Sequence, residues 1–460
     1  MWSPASSSSV VYKEKFRLRK PEDSALTIAI RITGFFIAFL GFSANLFAAQ
    51  ESFIKLEDML TQALQRNPEI LEAQAEWQAA KKRVWIDSAL PDPVGEYDMM
   101  GEMRETRTGP EKNRFTISQE IPFPLKLWTK ARMARQDAQA AFQRRQAVEW
   151  DIVNQLTKFY AELYWADASI QAIEEIKGLL KQFESVAEAR YSNLAGSQRD
   201  VAKAQAEVSM ILERLYMLKQ QRESAAAKIN AILNADPMSF VGRPEAPAMP
   251  VLKHSLIELV NLAVAHRPEI KEMEAMVSKA KHNKRLAQLA NIPDLNVGFE
   301  YIRVGSGSTA EAPDVDGRDS WMFPIRINLP IWQNRIIPEI QEAKKKLEAG
   351  EARLLKTKNT AFYEVKEAYH RFESAAQIVR LYESAVIPQA KLALSADQAG
   401  YESGRADFLN LLDSGRVYLN AKLNNIQFLT EAVKSYADLA RATGLDLDKS
   451  ETRERQEVSP

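Results

Sequence analysis

The chain predicts a mainly α-helical fold with a β-barrel portion, and three observations predict it. A unit of helix, hairpin, long helix, turn and helix is written twice. Each copy carries two strand-like segments of about ten residues, the length of a strand tilted across a bilayer. Between hairpin and turn, helical pattern runs far beyond the usual 11–12 residues.

Taken from the N-terminus, Lys13, Lys15, Arg17, Arg19, Lys20 and Arg31 precede the apolar run 32–47, which is followed by Ala48 and Ala49. A basic region, a short apolar core and small residues predict an export signal cut near Ala49. A single anchor helix is the alternative, although the run is short for one. No later segment has the pattern of a membrane helix, so an exported chain of this kind is soluble or crosses a membrane as strands.

The repeat opens with "RNPEI" at 66–70 and "HRPEI" at 266–270, 200 positions apart. Upstream, Leu56, Met59, Leu60, Ala63 and Leu64 stand opposite Leu256, Leu259, Val260, Ala263 and Val264. Both sets have the i, i+3, i+4, i+7, i+8 spacing of one buried helical face. Helical pattern continues to "ALPDP" (89–93) and "ANIPDL" (290–295).

There the period becomes two. In 295–304, Leu295, Val297, Phe299 and Tyr301 alternate with Asn296, Gly298 and Glu300, and in 320–329 Trp321, Phe323, Ile325, Ile327 and Leu329 alternate with Ser320, Arg326 and Asn328. The first copy is fainter: 94–103 and 114–121 set Tyr97, Met99, Met103, Phe115, Ile117 and Ile121 against Glu96, Asp98, Glu102, Arg114, Thr116 and Glu120. "RETRTGPEKN" and "GSGSTAEAPDVDGRD" are the expected loops. One apolar and one charged face suit a wall between lipid and water; a soluble hairpin with one buried face is the alternative. Four strands cannot close a barrel, since single-chain barrels start at eight. Three chains would pool 12 strands and two would pool 8.

From Leu125 to Tyr191 there is no proline, and Gly178 is the one glycine; the second copy runs from Ile331 to Tyr401 with Pro338 and Pro388 as expected interruptions. Turns follow at 191–200 and 401–410, then return helices ending near "NADP" (234–237) and "ATGL" (442–445). Leu412, Leu419, Ile426 and Val433 recur every seven residues, as in coiled coils. The expected organisation is a targeting segment 1–49, a first repeat 50–240 (hairpin 94–121, turn 191–200), a proline-rich linker 241–255, a second repeat 256–445 (hairpin 295–329, turn 401–410) and a polar tail 446–460.

Lys plus Arg equals Asp plus Glu at 61 each, so no basic excess invites nucleic acid. Cysteine is absent, which removes disulfides, thiolate metal sites and a lipid-modified N-terminal cysteine. His254, His266, His282 and His370 lack metal-ligand spacing, and His266 reads as a polar surface or helix-start residue. No phosphate-cradling glycine loop is present, so an energised step falls to a partner. The sequence predicts no enzyme, no cofactor and no metal site.

The duplicated "NPEI/RPEI" starts, the "LP-D" hairpin entries, "ISQEIPF", "IRINLPIW" and "GYESGRADFLNLLDSGRVYLNAK" (400–422) together resemble the TolC-like outer-membrane efflux family, from about Leu56 to Leu445. The resemblance implies a homotrimer with a shared 12-strand barrel in outer-membrane lipid and a long α-helical periplasmic tunnel. It also implies a periplasmic adaptor and an inner-membrane pump as partners, and the duplication would give the trimer a pseudo-sixfold wall. "ALPDP" and "SQEIPFP" look most like the heavy-metal cation branch; a drug-efflux or protein-secretion channel is the alternative, and a soluble periplasmic coiled-coil adaptor is the alternative of another class.

The family's aperture motif, placed on Gly404 onward, puts its two aspartate positions at Asn410 and Asp413, with Asp200 and Lys203 opposite at an offset of 210. The family's arginine clamp position falls on Ala406. Carboxylate rings bind cations in pores, although aspartate near a helix N-terminus needs no pore. The turns would dock the adaptor through Tyr191, Leu194, Gly196, Tyr401, Gly404 and Arg405; Gly404 matches the family's turn glycine, and Leu194 occupies the corresponding first-copy place with Gly196 two residues later. The alternative is that both glycines only supply positive φ for the turn. Glu96, Asp98, Glu102, Arg114, Glu120, Glu300 and Arg326 would line the barrel lumen. Met99 and Met103 would face lipid as fillers rather than soft-metal ligands.

Overall fold

The structure is a computed structural model that describes residues 53–106, 109–194, 196–306 and 317–447. The targeting segment 1–49, the tail beyond Leu447 and loop residues 307–316 lie outside the described residues. In chain order the elements are β1 (Phe53–Ile54), α1 (Leu56–Arg66), α2 (Pro68–Ser88), β2 (Val94–Thr106), β3 (Gly109–Ile121), α3 (Pro124–Ser192) and α4 (Gln198–Ile232). The second copy follows as β4 (Arg243–Pro244), α5 (Leu256–His266), α6 (Pro268–Gln288), β5 (Leu295–Val304), β6 (Ser320–Met322), β7 (Ile325–Ile327), α7 (Gln333–Leu381), a π turn (Tyr382–Val386), α8 (Ile387–Glu402) and α9 (Phe408–Thr443).

The twin "PEI" elements begin helices because proline at the first position fixes φ where no N–H partner is needed. Asn67 caps α2 by accepting from the Glu69 and Ile70 amides at 2.9 and 3.4 Å, and its Nδ2 donates to the Ile232 carbonyl at 2.9 Å. In the second copy Arg267 holds that position. It makes no such cap, pairing instead with Glu269 and Glu364 at 3.2 and 2.6 Å. Both elements therefore seat the end of a return helix: Ile232 closes α4, and Gly444, at φ +70°, caps α9 against Pro268. His266 closes α5 and is exposed; it ends a helix rather than starting one.

Five strands form one antiparallel sheet in the order β2-β3-β5, with β6 and β7 both paired to β5, while β1 pairs separately with β4 in parallel. The first hairpin is longer than its pattern suggests. β2 and β3 run 13 residues each, so most of "RETRTGPEKN" is strand; polar side chains hide the alternation there without breaking the ladder. The expected continuous strand 320–329 is split at Phe323–Pro324, because proline has no N–H to donate. The Pro324 carbonyl still accepts from the Gly298 amide at 2.9 Å, so the alternation survives the break.

At about 1.5 Å per residue, the 69 residues of α3 extend roughly 100 Å. Pro338 does not interrupt α7; the second long helix changes only at the π turn before Pro388. One core cluster joins α3, α4, α8 and α9 through Ile173, Phe183, Leu215, Leu394, Phe408 and Leu419. Two further clusters, around Leu156 and Leu163 and around Val365 and Leu439, seat α1 and α5 on the helix pairs of their own copies. Among the described residues no helix is long and apolar enough to cross a membrane, which says nothing of a barrel.

Candidate functional site: the helical turns and the sheet face

Each turn follows from its local chemistry. After α8, Gly404 takes φ +74°, and the amides of Arg405 and Ala406 close the turn on the Gly400 carbonyl at 2.8 and 3.1 Å. The first turn departs from expectation. The left-handed residue is Leu194, at φ +58°, and Gly196 is not among the positive-φ residues. A β-carbon on Gly196 would meet the Arg190 Cβ at 2.9 Å, so this glycine is required by close approach. Left-handed backbone costs a non-glycine residue about 1–2 kcal/mol, and Leu194 is also 97% exposed. An apolar side chain held strained and in water at a loop tip is the kind of feature that binding sites retain.

The two turns are joined through Arg190, which the sequence reading missed. Its guanidinium donates to the Tyr401 backbone carbonyl and lies 4.7 Å from the centroid of the Tyr401 ring. Tyr401 is 3% exposed, packed on Phe408 at 5.1 Å between centroids. It is a strut beneath the turn and cannot itself offer a docking surface. Burial pushes the Tyr401 hydroxyl above its usual range, and the charge of Asp200 adds to that, so Asp200 stands beside this junction. At the 210 spacing, Arg190 corresponds to Gly400; an arginine in one copy where the other keeps glycine was the signal available.

The remaining residues expected at the aperture are spread along the helices. Asp200 lies in the first turn of α4, behind Ser197, whose hydroxyl accepts from the Arg199 amide at 3.1 Å. Lys203 is half-buried one turn on; Asn410 and Asp413 are exposed on α9. Asp413 is not an isolated charge, since Arg416 feels it while pairing with Glu207 across the groove between α4 and α9. Hydrogen bonding to Glu207 is the main cause of the upward shift of Arg416. Tyr191, Leu194, Gly404 and Arg405 are accessible, and Arg405 Nε donates to Ser403 Oγ at 3.0 Å.

At the other end, strand register decides which residues share a face. Glu96 stands opposite Thr116, and Thr116 opposite Glu300; Asp98 stands opposite Arg114; Glu120 faces Asn296, which faces Arg326. Cross-strand partners share a face, so six of the seven expected lumen residues are on one side. The side chain of Glu102 lies outside the described residues. Arg114 Nε pairs with Glu300 at 2.8 Å, which neutralises part of the acidic excess. The opposite face holds Tyr97, Phe115, Tyr301 and Trp321 in one cross-strand row, with Ile117 beside Phe299. Tyr97, Phe115, Ile117, Phe299 and Trp321 are exposed, as is Met99 on the same face. Among the described residues no three His, Cys, Asp or Glu side chains converge on a point that could hold a metal ion.

A duplicated helical hairpin joined to an amphipathic sheet with open edges defines a channel-forming outer-membrane fold, and the sequence comparisons agree with it. The model of the family described as outer membrane efflux protein matches residues 59–235 and 259–445, and the chain belongs to that family. It is 21% identical over 409 residues to the outer membrane protein TolC of Vibrio cholerae, covering 85% of this chain and 90% of that one. Over 264 residues it is 22% identical to the pyoverdine export outer membrane protein OpmQ of Pseudomonas putida, covering 56% and 54% respectively. The crystal structure of VceC from Vibrio cholerae superposes with a TM-score of 0.71 at 18% identity, covering 85% of this chain and 96% of that one. The protein is thus an outer-membrane efflux channel component, and the soluble-adaptor alternative falls.

Proposed function

We propose that this chain is the exit duct of a tripartite efflux system. Three copies pool their strands into a 12-strand barrel, and the long helices form a periplasmic tunnel. The observation that carries this reading is the sheet itself. β2 pairs only with β3, and β6 and β7 pair only with β5, so among the described residues both edges are open. Unpaired edges beside an exposed aromatic face are untenable in lipid unless further strands complete the ladder. The tunnel mouth lies at the turns, where Asp200, Lys203, Asn410 and Asp413 set its charge. A periplasmic adaptor docks on Tyr191, Leu194, Gly404 and Arg405, and an inner-membrane pump supplies the energy.

The cargo we propose is heavy-metal cations, supported by the resemblance of "ALPDP" and "SQEIPFP" to that branch and by the acidic residues of the lumen face. The relative named for pyoverdine export favours a second reading, an organic cargo. A susceptibility panel on a deletion strain tests both. Sensitivity confined to metals, with intracellular metal rising, is the expected result. Sensitivity to drugs or organic chelates transfers the cargo to the second reading, and an unchanged panel overturns both.

A further inference from the structure

Where the sheet meets the helices, one side of the molecule collects tryptophan and arginine. Arg132 on α3 stacks on Trp128, 3.4 Å from the ring centroid, and Trp128 is exposed. Beside it on α6, burial lowers the pKa of His282 and the positive charges of Arg132 and Arg285 lower it further, so both guanidinium groups stand near one imidazole. In the adjoining groove between α2 and α3, of about 520 Å³, Lys81 and Arg135 lie among Trp77, Trp85 and Phe142. Trp85 is 78% exposed. Among the described residues Arg132, Arg135 and Arg285 make no ion pair. The whole chain is neutral, with 61 basic and 61 acidic residues, so this excess is local.

The hand of the fold decides which way this patch faces. Viewed from the aromatic face of the sheet with the helices below, β7 lies left of β5 and β3 lies right. L-chirality requires it: on the ascending β5, Gly298 sends its amide to Pro324, and Gly305, on the alternate face, sends its amide to Pro110. The helices continue in the same order, α7, α6, α3, α2. α3 descends, turning clockwise as seen from the sheet. It meets α2 through Phe142 and Arg145, and α6 through Asp137 and Arg144. At about 100° per residue, Trp128 and Arg132 fall between those contacts on the aromatic side, and Lys130 falls on the other. On the ascending α6 the same rotation puts His282 and Arg285 on the aromatic side. Asn283 is turned away, into a groove with Lys130, Glu339 and Glu342. Bases are answered on that far side: Lys126 meets Asp294 at 2.7 Å, Arg335 meets Glu339 at 3.9 Å and Lys346 meets Glu342 at 2.5 Å.

We infer that the collar of Trp85, Trp128, Arg132, Arg135 and Arg285 binds the phosphate headgroups of anionic phospholipid in the periplasmic leaflet of the outer membrane. Exposed Leu329, Ile331 and Trp332 follow β7, so apolar surface reaches the helix ends. At about 1.5 Å per residue, Trp85, Trp128, Arg132 and Arg285 lie within roughly 12 Å of those ends. Tryptophan settles at headgroup level, and basic side chains just beyond it attract anionic lipid. The guanidinium fork offers a phosphate two parallel donors, whereas the ammonium of a zwitterionic headgroup meets like charge.

Native mass spectrometry of the full-length protein in detergent tests this, with equal amounts of phosphatidylglycerol and phosphatidylethanolamine of the same acyl chains. Retained phosphatidylglycerol should exceed phosphatidylethanolamine by about tenfold or more, each basic residue near a membrane surface contributing a factor of about five. Arg132→Gln with Arg285→Gln should bring the ratio close to one. Lys130→Gln with Lys346→Gln removes the same charge from the far side and should leave the ratio unchanged. If the arginine variant fails to fold, Lys81→Gln with Arg135→Gln supplies a second pair, expected to lower the ratio severalfold. Excess inorganic phosphate should not displace the lipid; displacement would make this a phosphate site and overturn the lipid assignment. Equal retention of both lipids by the parent chain overturns the inference, as does a ratio that survives both collar variants or falls equally in the far-side pair.

Discussion

Arg190, near the end of the first outbound helix, donates a hydrogen bond to the backbone carbonyl of Tyr401, 211 residues away at the turn of the second copy. This contact ties the two helical hairpins together at their tips. A hydrogen bond from a charged donor contributes about 1.5–3 kcal/mol, the upper part of which applies only where water is excluded. Arg190→Ala should therefore favour separation of the tips, raising single-channel conductance in planar bilayers. Arg190→Lys, without the planar fork, should restore only part of the closed behaviour. Unchanged conductance in both variants would remove Arg190 from the mouth.

Leu194 separates conformational cost from binding. Leu194→Gly relieves the left-handed strain, an expected gain of up to about 1 kcal/mol. Thermal stability should hold or rise slightly while affinity for the adaptor falls at least several-fold. A variant that keeps full adaptor affinity would show that the exposed leucine is not a docking contact.

Gly444 closes α9 at φ +70°, where a β-carbon would stand 2.9 Å from Pro268 Cδ and 3.1 Å from the His266 carbonyl oxygen. Gly444→Ala meets both left-handed strain and contact with rigid backbone, so it should destabilise by about 2 kcal/mol or more. Asn234, the counterpart at φ +52°, already carries a side chain; Asn234→Gly should be neutral or stabilising. Melting temperatures of the detergent-purified proteins check both.

Glu162 on α3 holds both return helices, through Lys228 at 3.1 Å and Lys434 at 3.2 Å. Burial alone would push its carboxyl up, but the hydrogen bonds and charges of the two lysines outweigh that and hold it below the usual glutamate range. A depressed folded-state pKa contributes stability that is present above the unfolded value and lost as pH falls through the folded one. Stability should therefore decline as pH drops below about 4.3, and Glu162→Gln should flatten that part of the profile. A profile identical to that of the parent chain would contradict the assignment.

Much of the fold was legible because the chain states it twice. The "PEI" helix starts, the period change after "LP-D" and the proline-free run of α3 each reduce to one physical rule. The charged face of the sheet was legible as well, since alternation fixes it once register is set. Less legible were features that depend on where the copies meet. Tyr401 reads as a turn aromatic but is buried by Arg190 and Phe408, a contact no local pattern encodes. Polar strand ends such as Arg104–Thr106 have no alternation to display. Leu194 at positive φ contradicts its own propensity, and only the pairing of turns at a spacing of 210 could have flagged it. Pro338 within α7 reads as a break, yet the helix runs through it: it removes one hydrogen bond, the one to the Asn334 carbonyl, and leaves the rest of the ladder in place.

The most direct test of the account is conductance by the detergent-extracted protein in planar bilayers. The account predicts that it is extracted only by detergent, runs as a trimer, and gives discrete channels whose cation selectivity changes when Asp200 and Asp413 are both replaced by alanine. A protein that dissolves without detergent and produces no conductance would contradict the central claim that these strands are pooled into a membrane duct.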